Sequence, residues 1–279
     1  MADRRLTPAR PDLAALHLKG QVEASRFVAG ERYEIIAAIA PLRRAPSPDA
    51  ALETEALRGE YVTIYERSGA WAWGQLESDG YVGYLPCNAL GALGAAQTHK
   101  VAALRSFAFP GPSIKLPPIM TLPLGARLAI DHQDGHLAIT TDGLYVPHQH
   151  LTAIDQIEPD FVAVAEQFVG TPYLWGGKSS LGIDCSGLVQ VSLAACGISS
   201  PRDSDLQQQA LGRALSEAET HALQRGDLIF WSGHVAIVRD GSSIVHANAH
   251  HMATAIEPTT AALARIAAAG SRLISIRRL

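Results

Sequence analysis

The run IDCSGLVQVSLAACG, residues 183–197, decides how the C-terminal half of the chain is read. Its apolar positions from Cys185 to Cys196 predict a helix that is apolar on most of its surface, with Asp184 as N-cap and Gly197 as stop. Cys185 then falls in the first turn. Peptide dipoles there favour a thiolate, and the unpaired N–H groups of a helix start can stabilise an oxyanion. Ser186 and Gly187 are small, which predicts open approach to the sulfur. Cys196 sits at the unfavourable end of the same dipole and reads as core. Cys185 is therefore the candidate nucleophile.

Downstream of this helix the texture is that of strands: DLIFWSG, then HVAIV, then SIVHAN, and finally LISIRRL. Arg239-Asp240-Gly241-Ser242-Ser243 lies between the second and third of these as a turn. If Val238 faces Ile244 across it, His234 and His246 project from one face of a hairpin, within reach of each other. A thiol nucleophile needs a base that is itself oriented by a third group. The expected roles are proton acceptor for His234 and orienting partner for His246. His250 and His251 follow closely, but with no carboxylate or thiolate partner nearby in sequence no metal site is expected, and no cofactor.

Upstream, Asp160 is placed to cap a helix over FVAVAEQFVG, closed by Gly170. Gly170-Thr171-Pro172-Tyr173-Leu174-Trp175-Gly176-Gly177 follows as a stiff aromatic loop, in which Tyr173 and Trp175 can wall a cleft. After the Cys185 helix, Pro201-Arg202-Asp203-Ser204 is a polar loop whose Asp203 can receive a substrate ammonium. Helices first and an antiparallel sheet after them predict an α+β domain over 155–279.

Residues 33–154 have a different pattern. Short runs rich in β-branched and aromatic residues are punctuated by Gly, Pro, Asp and Ser, as in a small all-β module. Gly59-Glu60-Tyr61-Val62-Thr63-Ile64 is echoed by Gly125-Ala126-Arg127-Leu128-Ala129-Ile130. Asp79-Gly80-Tyr81-Val82-Gly83-Tyr84-Leu85-Pro86 is echoed by Asp142-Gly143-Leu144-Tyr145-Val146-Pro147. Two tandem copies of one barrel, at 33–94 and 95–154, are the economical explanation. The Gly80–Pro86 ending resembles bacterial SH3-like modules, with the second copy the more divergent. Residues 1–32 are expected to be partly helical, opening after Asp12.

Bulk properties narrow the function classes. Of 279 residues, 47% are hydrophobic and 18% charged, enough for packed cores. A net charge of −4 argues against nucleic acid or an anionic membrane as partner. Three cysteines give no disulfide framework. No secretory h-region and no long apolar span are seen, which leads to the expectation of a cytoplasmic protein with no membrane partner.

Taken together, Tyr173–Gly177, Asp184–Gln190, Pro201–Ser204 with the Gln208 region, Gly226–Trp231, Gly233–Ile237 and Val245–Ala247 resemble the NlpC-type family of bacterial cell-wall cysteine peptidases. That family has a papain-like α+β fold, and two upstream SH3-like modules are a known arrangement within it. The resemblance implies hydrolysis of the bond between γ-D-glutamate and a diamino acid in peptidoglycan stem peptides. It maps the catalytic groups onto Cys185, His234 and His246, and a substrate pocket onto Tyr173, Trp175, Asp184, Ser186, Asp203 and Ser204. It further implies a preference for a free N-terminal L-alanine, with an acidic residue and a tyrosine of the first module holding the amine. Glu53, Glu55, Tyr81 and Tyr84 are the candidates. An amidase or acyltransferase on the same scaffold, and a non-catalytic wall-binding protein, are the alternative readings.

Overall fold

A computed structural model describes residues 3–279, which divide into one compact unit ending at Gln156 and a second from Ile157 to Leu279. No helix among the described residues is long and apolar enough to cross a membrane.

The first unit is built from strands. Its largest sheet has seven, in the spatial order Leu52–Leu57, Ile39–Arg43, Val82–Pro86, Trp71–Leu76, Tyr61–Ser68, Glu31–Ile35 and Leu90–Gly91. All its pairings are antiparallel. Ile35, Leu42, Val62, Leu76, Tyr81 and Leu85 fill its core. Residues 95–154 form three smaller sheets around Val101, Ala108, Leu122, Leu128 and Val146. The repeat seen in the sequence has a backbone counterpart. Gly59 and Gly125 both take positive φ, at 79° and 88°, as do Gly80 and Gly143, at 75° and 84°. Both copies also end as strand, 3-10 turn and strand: Val82–Pro86, Cys87–Ala89, Leu90–Gly91 in one, and Tyr145–Pro147, His148–His150, Leu151–Ala153 in the other.

The helix expected after Asp12 does not form. Ala14–Ala15 pairs in parallel with Phe27–Val28, and only the 3-10 turn Leu16–Leu18 lies between them. Leu13, Ala14 and Ala15 are buried in succession, which a one-faced surface helix does not allow. The Asp12 carboxylate accepts from Arg10, at 3.1 and 2.8 Å, instead of capping a helix.

The second unit carries a six-stranded antiparallel sheet, in the order Arg213–Ala214, Leu273–Arg278, Leu228–Trp231, His234–Val238, Ser243–Asn248 and Ala253–Pro258. The first and last of these strands, and the Thr259–Ala268 helix, are not read in the sequence. Ala262 and Ile266 of that helix pack on Ile229, Trp231, Ala236, Val238 and Ile244. The alternating residues Leu228, Phe230, Val235, Ile237 and Val245 point the other way and are equally buried. The Phe161–Gln167 and Cys185–Ala195 helices contact the same strands. Asp160 caps the first of them as expected, accepting from the N–H groups of Val162 and Ala163.

Candidate active site

Cys185 is the first residue of the Cys185–Ala195 helix, and Asp184 is its N-cap, accepting from Gly187 N at 2.7 Å. The Asp184 carboxylate does more than cap. Its Oδ2 accepts from Gly176 N at 2.8 Å, which ties the aromatic loop to the helix start. Both of its oxygens are held by Arg202, at 2.9 and 2.7 Å. Arg202 is 1% exposed and also donates to Ser186 Oγ at 3.0 Å and to the Gly177 carbonyl at 3.2 Å. The side chains of Asp184 and Ser186 thus form the floor beneath Cys185. Gly187 is small for a different reason than expected. A Cβ there would meet the Gly177 carbonyl oxygen at 2.4 Å, so the residue admits backbone, not substrate.

The hairpin register is the expected one. Val238 pairs with Ile244 and Ile237 with Val245, and His234 Nε2 lies 2.8 Å from His246 Nδ1. His234 opens its strand, with the Trp231 ring 5.6 Å away. The N–H of Val235, the next residue, donates to the Cys185 sulfur, as does that of Ser186. Hence the strand that carries His234 touches the thiol directly. With Nε2 committed to His246, Nδ1 is the nitrogen left to act on Cys185. His246 is fully buried, and its Nε2 lies 2.8 Å from Glu257 Oε1. Arg265 in turn pairs with Glu257. Four side chains therefore form one chain: His234, His246, Glu257 and Arg265.

Electrostatics at the thiol oppose the simple dipole argument. Burial, helped by the nearby Asp184 charge, pushes Cys185 up to about 12, against the N–H donors and Arg202. Burial also pushes His234 down to about 3 and His246 down to about 4, while Glu257 works to raise His246. In the absence of substrate the site therefore holds a thiol beside a neutral imidazole, and a proton must move from sulfur to ring when the nucleophile acts.

Of the remaining expected residues, Tyr173 is held by its backbone, donating to Met252 O at 3.0 Å and bridging to Ile183. Burial, with Cys185 and Asp184 close by, pushes its hydroxyl well above the usual range, so the phenol is a neutral donor beside the sulfur. Trp175 is 69% exposed and offers a free aromatic face on the same loop. Asp203 and Ser204 are half-buried at the start of the Ser204–Ala210 helix. In the region expected around Gln208, Gln207 is fully buried and donates to the carbonyls of Ser186 and Pro201, both at 2.9 Å. Cys196 is half-buried at the helix C-cap and not in the core. Tyr81 belongs to the first unit, where its ring fills the barrel core and its hydroxyl lies 3.4 Å from Glu53. In that unit Glu53 pairs with Arg44, Glu55 is buried, and Tyr84 Oη accepts from Arg10 at 2.9 Å.

Arg202, Glu257 and Arg265 had no role in the sequence reading. Nor did it foresee a carboxylate near His246, yet His246, His251 and Glu257 each bring a donor atom to within 4.8 Å of one another. These donors are already engaged. His246 uses both ring nitrogens, His251 Nδ1 lies 2.9 Å from Asn248 Oδ1, and the Arg265 cation sits on Glu257. A guanidinium in that position repels a metal cation, and the cluster reads as a hydrogen-bond chain.

Two family models match the chain. The NlpC/P60 family model covers residues 170–265, and the bacterial dipeptidyl-peptidase Sh3 domain model covers residues 42–90. Among curated proteins, dipeptidyl-peptidase 6 of Lysinibacillus sphaericus is 40% identical over 87 residues, a stretch that spans only 31% of either chain. A gamma-D-glutamyl-L-lysine dipeptidyl-peptidase of Bacillus subtilis is 28% identical over 229 residues, covering 71% of this chain and 73% of that one. A crystal structure of an NlpC/P60 family protein from Bacillus cereus superposes with a TM-score of 0.74 at 23% identity, covering 89% of this chain and 99% of that one, which shows the fold in common. The NlpC/P60 match lies over both the helix that bears Cys185 and the hairpin that bears His234 and His246, so the chain carries an NlpC/P60 domain, preceded by a bacterial dipeptidyl-peptidase SH3 domain.

Proposed function

We propose that the chain is a cysteine peptidase that cleaves the γ-D-glutamyl–diamino acid bond of peptidoglycan stem peptides, acting on peptides with a free N-terminal L-alanine. The observation that carries the reading is the 2.8 Å bond from His234 Nε2 to His246 Nδ1, on a strand whose next N–H meets the Cys185 sulfur. Its support on the substrate side is the likeness to a gamma-D-glutamyl-L-lysine dipeptidyl-peptidase and the match to a dipeptidyl-peptidase SH3 domain.

In this reading His234 Nδ1 takes the Cys185 proton as sulfur attacks the γ-carbonyl of D-glutamate. The N–H groups at the helix start stabilise the oxyanion. The proton on His234 passes to the departing amine of the diamino acid, leaving a γ-glutamyl thioester on Cys185. Water, deprotonated by His234, then releases the dipeptide and restores the thiol. Tyr173 and Trp175 line the approach, and the half-buried Asp203 is a carboxylate suited to a cationic group of the peptide. The same reading puts the enzyme to work on stem peptides already released from the wall and recycled in the cytoplasm, which cell fractionation tests.

Incubation with L-Ala-γ-D-Glu-meso-diaminopimelate and with its N-acetylated form, followed by mass spectrometry, tests the proposal. Release of L-Ala-D-Glu from the free peptide alone is expected. No release from either peptide sinks the reading, and equal release from both removes the free-amine preference.

A further inference from the structure

The ring geometry of the histidine pair leaves two directions for its protons. In one, His234 Nε2–H donates to His246 Nδ1, so His246 carries its own proton on Nε2 and His234 Nδ1 keeps a lone pair. In the other, His246 Nδ1–H donates to His234 Nε2, so His234 carries its proton on Nδ1 and cannot accept one from a thiol there. The His234–His246 bond at 2.8 Å suits either direction. What differs is the far end. His246 Nε2 lies 2.8 Å from Glu257 Oε1, and Glu257 is held by Arg265. An ionised carboxylate accepts only, so in the second direction a nitrogen lone pair of a fully buried imidazole would face a carboxylate oxygen at hydrogen-bond distance.

We propose that Glu257 is a positioning residue: by accepting the His246 Nε2 proton it commits His246 Nδ1 to accept from His234, and so leaves the Nδ1 lone pair of His234 free for the Cys185 proton. Arg265 pairs with the Glu257 carboxylate and holds its orientation. The fold suits the task. The Ala253–Pro258 strand pairs with the His246 strand in a register that sets Ala255 opposite His246, so Glu257 lies two residues further along the same face. The Thr259–Ala268 helix that follows returns Arg265 to the same carboxylate. The inference rests on the reading of His234 as the group that takes the thiol proton.

Two substitutions shift the charge next to His246 in opposite directions. Glu257→Gln keeps an acceptor oxygen but removes the charge, so the imidazolium formed during the reaction is less stabilised. Arg265→Leu leaves Glu257 charged and removes the opposing cation. The other groups acting on the pair, His251 and Asp184, are unchanged. The histidine-dependent acid limb of Cys185 alkylation by iodoacetamide is expected to move to lower pH in Glu257→Gln and to higher pH in Arg265→Leu. With the peptide substrate, Glu257→Leu is expected to lose about 100-fold or more in kcat, with little change in KM.

The tautomer can be read directly from long-range proton–nitrogen correlation spectra of the full chain labelled in its histidines. The neutral His246 is expected to carry its proton on Nε2 in the wild type and in Glu257→Gln. A His246 proton on Nδ1 in the wild type overturns the proposal, as do acid limbs that fail to move in opposite directions. Neither the spectra nor the alkylation uses the peptide, so an incorrect substrate assignment leaves this test intact.

Discussion

Arg202 grips Asp184 through two parallel bonds, Nη1 to Oδ1 at 2.9 Å and Nη2 to Oδ2 at 2.7 Å, at the base of the helix that begins with Cys185. Both residues are buried, the arginine at 1% exposure. A buried pair is costly to break from one side, because the partner keeps its charge without compensation. Arg202→Ala is expected to lower the stability of the second unit by about 3–5 kcal/mol, measured by urea unfolding. Arg202→Lys keeps the charge but not the fork, so it should recover only part of the loss. Full recovery by lysine would show that charge alone, without the two-pronged geometry, holds the helix start.

The contact between Gly187 and Gly177 gives a second prediction. A methyl group at residue 187 would lie 2.4 Å from the Gly177 carbonyl oxygen, and neither backbone is free to yield. Gly177 O also accepts from Asp184 N and from Arg202. Gly187→Ala should therefore displace the loop that holds Tyr173 and Trp175 relative to Cys185. The expected cost is about 1–3 kcal/mol in stability, together with a larger loss of activity than of stability. A variant with wild-type turnover would mean that the loop position is not critical to the site.

What could be read from sequence, and what could not, follows from how local each signal is. The caps Asp160 and Asp184, the hairpin 234–246 and the helix 185–195 are set by neighbours within a turn or a register step, and these appeared as expected. The Arg202–Asp184 fork and the His246–Glu257 contact depend on residues brought together by the fold from 18 and 11 positions away, and one charged residue in a polar loop or on a strand face looks like surface. The Ala253–Pro258 strand was missed because its residues alternate weakly, ending in Glu257 and Pro258. Proton affinity at Cys185 was misread for a related reason. The helix dipole is visible in the sequence, whereas the burial that outweighs it is not.

The thiol state is open to direct measurement. With Cys185 pushed up to about 12, the free protein should show no thiolate absorbance at neutral pH, and Cys185→Ser should fold normally yet lose turnover. Cys196→Ser, at the helix C-cap, should retain activity. A strong thiolate signal at neutral pH that disappears in Cys185→Ser would show that the sulfur and His234 already form an ion pair before substrate arrives.

The histidine pair also makes stability depend on pH. His234 is pushed down to about 3 and His246 to about 4 from a common value of 6.5, chiefly by burial. The unfolded chain therefore binds more protons than the folded one as pH falls below 6.5. Stability should be complete above that value and should decline until the folded-state values are passed. Each histidine contributes a slope of up to about 1.4 kcal/mol per pH unit within the window. Glu219 and Glu257, whose carboxyls are held below the usual 4.5, stay ionised in both states over most of this range, so between pH 6.5 and 5 the buried histidines dominate the slope among these groups. Urea unfolding at pH 7.5, 6 and 5 should thus show a falling midpoint in the wild type and a shallower fall in His246→Asn. Equal slopes in the two proteins would mean that His246 keeps its unfolded proton affinity in the folded chain, with Glu257 offsetting the burial of the ring.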